Sequence, residues 1–135
     1  MKKKFFIIIF FIFLSTLLTN KANSYSSDPE KFITEVVEEA KKILVETNSQ
    51  KFKEKKLSEI ALKAADIKGI GYYTLGKYRK ELSEQDLKKY LILFEKYFLK
   101  SFTSRLTDYS DPKIQVIGVE ILNDKYTIVK SLLLA

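Results

Sequence analysis

The chain has 135 residues, 46% of them apolar and 13% aromatic, with 24 Lys and Arg against 17 Asp and Glu; this is enough for one domain with a core of its own. It contains no Cys, His or Trp and only four Gly, which excludes thiol catalysis, disulfides, haem attachment, imidazole acid–base chemistry, the usual zinc sites and a Gly-rich phosphate loop. An enzyme would have to be built from carboxylates, Lys, Ser/Thr or Tyr, and the balance shifts toward a binding or carrier protein.

The N-terminus reads as an export leader over residues 1–24. Lys2 to Lys4 form a positive start, Phe5 to Leu18 an apolar run, and Ala22-Asn23-Ser24 places small residues for cleavage after Ser24. A retained anchor is the rival, but this run of helix spans only about 21 Å against a hydrocarbon core of ~30 Å. Removing Lys2, Lys3, Lys4 and Lys21 leaves 20 basic against 17 acidic residues, a net +3 on a mature chain of 111 (135 minus 24). That excess is too small to argue for nucleic acid, and suits brief encounters with an anionic membrane surface.

From Ser26 the pattern is helices first, strands last. Asp28 as N-cap and Pro29 at the first helical position open a helix expected to run to about Thr47, with Ile33, Val36, Val37, Ala40 and Leu44 on one face. Glu35, Glu38 and Glu39 are expected on the solvated side with Lys41 and Lys42, in i,i+3 and i,i+4 pairs. After Asn48-Ser49 a second helix carries Leu57, Ile60, Ala61 and Ala64 on its apolar side and opens with the basic tract Lys51 to Lys56. A nucleic-acid arm is the sharp reading of this tract and a solvated face the favoured one, because exported proteins rarely meet nucleic acid and Arg is almost absent; attraction to anionic headgroups lies between the two. Gly69 and Gly71 imitate part of a dinucleotide loop, but no strand precedes them and Thr74 stands where the third glycine belongs. A short helix over about Ile67 to Leu75, stopped by Gly76, fits better and leaves Tyr78 and Arg79 in the connection.

Ser83 caps the next helix, with Asp86 in a capping-box position. Leu87, Tyr90, Leu91, Phe94, Phe98, Phe102 and Leu106 then follow one stripe for more than five turns. Ser110-Asp111-Pro112 closes the helical half, about residues 29–109. Two alternating runs, Lys113 to Leu122 and Lys125 to Leu134, are separated by Asn123-Asp124 and predict a hairpin over about 113–134. Strict alternation points Ile114, Val116 and Gly118 one way and Gln115, Ile117 and Val119 the other. Both faces are apolar, and a hairpin alone is marginal in water.

The stretch Leu75 to Ser110 resembles the signature region of the MlaC family, exported phospholipid-binding proteins of the toluene-tolerance type. The residues that carry it are Leu75, Gly76, Lys77, Tyr78 and Arg79, then Ser83, Glu84 and Gln85, then Phe94, Leu106 and Tyr109; the opening at Asp28 and the approach from Asp66 also fit. The resemblance covers about Asp28 to Lys130 and implies an α+β domain over 25–135, a helical half packed on a bent antiparallel sheet. It further implies a periplasmic carrier that shuttles phospholipid between an outer-membrane lipoprotein–porin complex and an inner-membrane ABC transporter with an MCE-domain subunit, maintaining outer-membrane lipid asymmetry without an enzymatic step or a cofactor. Two departures stand out. Lys77 and Lys80 occupy positions where the family often has Arg and an aromatic, and family members continue through further strands, so the sheet is expected to be incomplete here.

For the lipid-binding cavity the expected residues are Leu75, Phe94, Phe98, Phe102, Val116, Val119 and Ile128, with Tyr78 at its edge; each equally fits a plain core position. Arg79 suits a headgroup phosphate, and equally suits the last carbonyls of the preceding helix. The competing function is an exported adaptor that takes a partner strand on its open hairpin edge, without lipid.

Overall fold

The computed structural model describes residues 24–134. Four helices, α1 (Pro29–Val45), α2 (Gln50–Ala64), α3 (Ile67–Leu75) and α4 (Glu84–Leu106), are followed by an antiparallel hairpin of β1 (Lys113–Asn123) and β2 (Tyr126–Leu134), with a 3₁₀ turn, Gly76–Lys80, between α3 and α4. The fold is α+β with an open sheet. The predicted leader lies, apart from Ser24, outside the described residues.

One device starts every helix. The side chains of Asp28, Ser49, Asp66 and Ser83 accept hydrogen bonds from the N–H groups of Lys31, Phe52, Gly69 and Asp86, three residues on in each case. Each satisfies one of the free donors of the first turn. At Ser83 the expected capping box takes a variant form. The short Asp86 carboxylate accepts from the Ser83 hydroxyl at 2.7 Å.

The helix ends are equally specific. α1 stops at Val45 rather than Thr47, because Glu46 is extended (φ −64°, ψ 145°) and the Asn48 N–H turns back to the Glu46 carbonyl. Lys53 then donates its ammonium to the Leu44 carbonyl at 2.6 Å, capping the negative end of α1. α3 ends at Gly76, whose φ of +52° with ψ −126° is open to glycine and strained for other residues.

Leu44, Leu57 and Ile60 form the buried centre, with Val36, Ala40, Ile43 and Leu106 against them. α2 packs on α1 and α4, and α4 also carries α3. Thr103 is the buried polar residue of α4, and its hydroxyl is satisfied by donating to the Leu99 carbonyl. The helical pairs expected among the α1 charges are not formed among the described residues. Lys41 instead reaches Asp111, at 4.0 Å, on the approach to β1.

The hairpin meets the helical half principally at α1. Its turn residues are Asp124 and Lys125, one position later than expected, since Asn123 still pairs with Tyr126. No residue other than glycine has positive φ among the described residues, so the turn is not of the primed kind usual for two-residue hairpins. Asn123 holds it instead, its side-chain oxygen accepting from the N–H groups of Lys125 and Tyr126. A bulge at Ile117 breaks the strict alternation: Val116 pairs with Ser131, and Gly118 with Lys130. Beyond it Val119 shares the face of Ile114 and Val116, which corrects the sequence expectation.

Candidate functional site

The aromatic stripe of α4 forms a ladder. Phe94, Phe98 and Phe102 follow one another at i, i+4 and i+8, with ring centroids 6.0 and 5.7 Å apart and planes inclined by 29° and 13°. Tyr90 extends it at 5.8 Å from Phe94. The helical spacing alone brings these rings together. The ladder opens toward its C-terminal end: Phe94 and Phe98 are half-buried, and Phe102 is 41% exposed.

Beneath its N-terminal end sits α3. Gly71 is buried, and a Cβ built on it would meet Phe94 Cδ1 at 3.0 Å and Leu91 Cδ2 at 3.1 Å. The missing side chain is what allows α3 to lie this close to the ladder. A hydrogen bond of 2.8 Å between Thr74 Oγ1 and Tyr90 Oη ties the same two helices.

The other expected residues divide. Leu75 is half-buried at the end of α3, whereas Tyr78 in the 3₁₀ turn is 58% exposed. Arg79 caps no helix carbonyl; its guanidinium lies 5.7 Å from the ring of Tyr72. Val116 and Val119 share one hairpin face with the half-buried Thr127 and Val129. Ile128 pairs with Glu120 on the opposite face, beside the 2.8 Å Glu120–Lys130 ion pair. Val119 and Ile128 therefore cannot belong to one wall of one cavity.

Sequence reasoning missed two features. The first is a groove of about 560 Å³ between α3 and α4, floored by Tyr72, Leu87, Leu91 and Ile92. Its signal was the i,i+4 pairs Lys68/Tyr72 and Leu87/Leu91 in facing helices. The second is an N-terminal clamp. Glu39, expected in solvent, is half-buried and accepts a short hydrogen bond from the Tyr25 hydroxyl, while Glu35 accepts from the Ser26 N–H. Lys63 stands 4.0 Å over the Tyr25 ring and Phe32 meets it edge-on. Burial, then the bond to Glu39 and the charges of Glu39 and Glu35, push the Tyr25 phenol up to about 12.

No group of three or more carboxylates that would hold a metal ion occurs among the described residues. No helix among them is long and apolar enough to cross a membrane.

The family model described as MlaC protein matches residues 17–135, nearly the whole chain. The chain belongs to the MlaC family. Membership is consistent with a role in phospholipid binding and transport, and it takes in the ladder, the groove and the hairpin alike. No curated protein and no solved structure matches the chain.

Proposed function

We propose that this MlaC-family chain is a periplasmic phospholipid carrier, exported through a cleaved leader over residues 1–24, which passes lipid between outer-membrane and inner-membrane complexes to maintain outer-membrane lipid asymmetry. The observation that carries the reading is the phenylalanine ladder of α4, in a chain of this family. Acyl chains need a wide, dry, unreactive surface, and each buried methylene contributes about 0.8 kcal/mol. Rings of Phe94, Phe98 and Phe102 offer that surface, and this reading adds Leu75 to it with Tyr78 as its edge. Val116 and Val119, together on one face of the hairpin, are the second apolar surface that this reading uses. An inner-membrane ABC transporter with an MCE-domain subunit and an outer-membrane lipoprotein–porin complex are the partners this reading requires; it requires no nucleic acid, cofactor or catalytic step.

Native mass spectrometry of the exported, purified 111-residue form, followed by organic extraction, tests it. The expected result is a phospholipid at defined stoichiometry, lost in the Phe102→Asp variant. A folded protein that carries none overturns the carrier reading. One observation then favours the adaptor: the described sheet has two strands, of 11 and 9 residues, each with an open edge.

A further inference from the structure

The geometry points to a second binding site, separate from the ladder: the α3–α4 groove takes a single-chain anionic amphiphile, its alkyl chain on the groove floor and its phosphate or carboxylate head at Lys68 and Arg79. The inference stands apart from the carrier reading and survives or fails without it.

Size comes first. A volume of about 560 Å³ lies within the ~300–1,000 Å³ usual for small-molecule sites. Lys68 and Tyr72 of α3 and seven residues of α4, from Glu84 to Lys96, line this furrow between the two helices. Its α4 wall runs from Glu84 to Lys96, about 18 Å of helix, so a medium-length chain fits along it. The floor is suited to such a chain. Ile92 is 50% exposed with no partner in the helical core, and Tyr72, Leu87 and Leu91 are half-buried along the same furrow.

Charge selects the head. Lys68, Lys88 and Lys96 line the groove against Glu84 and Glu95, and Arg79 adds a further cation at Tyr72. The Tyr72 ring has two cations near it, Lys68 Nζ at 5.8 Å and Arg79 Cζ at 5.7 Å. None of Lys68, Arg79, Lys88 and Lys96 is ion-paired with a carboxylate among the described residues. An anion at the Tyr72 end of the groove meets the unpaired Lys68 on the groove wall, and the Arg79 guanidinium beside the same ring offers it a bidentate hold. A neutral head gains none of this.

Calorimetric titration of the mature 111-residue chain with dodecyl phosphate, kept monomeric, tests the site, with dodecyl maltoside and inorganic phosphate as tail-only and head-only probes. Dodecyl phosphate is expected to bind at least tenfold more tightly than either. Ile92→Glu, at an exposed position, and the double variant Lys68→Glu/Arg79→Glu are each expected to weaken it at least tenfold, with an unchanged circular dichroism spectrum. Equal binding of the maltoside, equal binding of inorganic phosphate, or full binding by a folded Ile92→Glu protein overturns the proposal. Phe102→Asp is the control on the carrier reading. It is expected to lose co-purified phospholipid and keep dodecyl phosphate, while Ile92→Glu does the reverse; loss of both ligands in both variants would mean one shared site and no second one.

Discussion

Gly71 lies directly under Phe94, its hydrogen in the place where a methyl group would stand 3.0 Å from the ring and 3.1 Å from Leu91. The closeness links two levels of the structure. It seats α3 on α4 at the foot of the aromatic ladder, and it sets one side of the groove that Leu91 floors on its other flank. Gly71→Leu puts a branched side chain where even one carbon is crowded. Overpacking of this kind costs about 1–3 kcal/mol. The expected outcome is a lower midpoint in thermal or urea unfolding, against a Gly118→Ala control at a position with open space around it. An unchanged midpoint would mean that α3 shifts freely on α4.

Among the lysines of the basic tract, Lys53 differs from Lys51 in having a structural partner. Its ammonium reaches the Leu44 carbonyl at the C-terminus of α1, where the helix dipole favours a cation, whereas Lys51 is exposed. Lys53→Met is expected to cost about 0.5–1.5 kcal/mol and Lys51→Met close to nothing. Paired urea titrations decide it. Equal effects would return Lys53 to the solvated face that the sequence implies.

That contrast shows where the sequence is informative and where it stops. Caps are written in three or four adjacent residues, so Asp28, Ser49, Asp66 and Ser83 start helices where local chemistry says they do. The ladder follows from helical period alone, so Phe94, Phe98 and Phe102 were legible. Long-range pairs were not. Tyr25–Glu39, Lys53–Leu44 and Lys41–Asp111 join residues 9 to 70 positions apart, and no local rule distinguishes Lys53 from Lys51. The bulge at Ile117 was hidden for a related reason. An apolar run reads the same on both faces, so alternation alone cannot report a slip of one residue.

The Tyr25 clamp makes stability depend on alkaline pH. Its folded phenol is raised to about 12 from the ordinary 10.0, so the folded state holds the proton more tightly than the unfolded chain. The contribution is therefore complete below about pH 10 and is lost as pH rises from there through about 12. Tyr25→Phe removes it. The variant is expected to show a shallower loss of stability over that interval, measured by urea midpoints at stepped pH. Tyrosinate absorbance should likewise show one late-titrating phenol fewer. Parallel curves for the two proteins would exclude the clamp.

The hairpin turn depends on one side chain. With no positive φ to form a primed turn, the Asn123 oxygen takes the N–H groups of both Lys125 and Tyr126. Asn123→Ala returns those donors to water, at a cost of about 0.5–1.5 kcal/mol for each bond lost. The hairpin rests chiefly on α1, so it can open while the core at Leu44, Leu57 and Ile60 stays closed. Hydrogen exchange by NMR is expected to quicken at Tyr126 through Val129 in Asn123→Ala, with the α2 amides unchanged. If exchange quickens uniformly through α2 as well, the hairpin and the helical core open as one unit. The α1 contacts would then couple them more tightly than their extent implies.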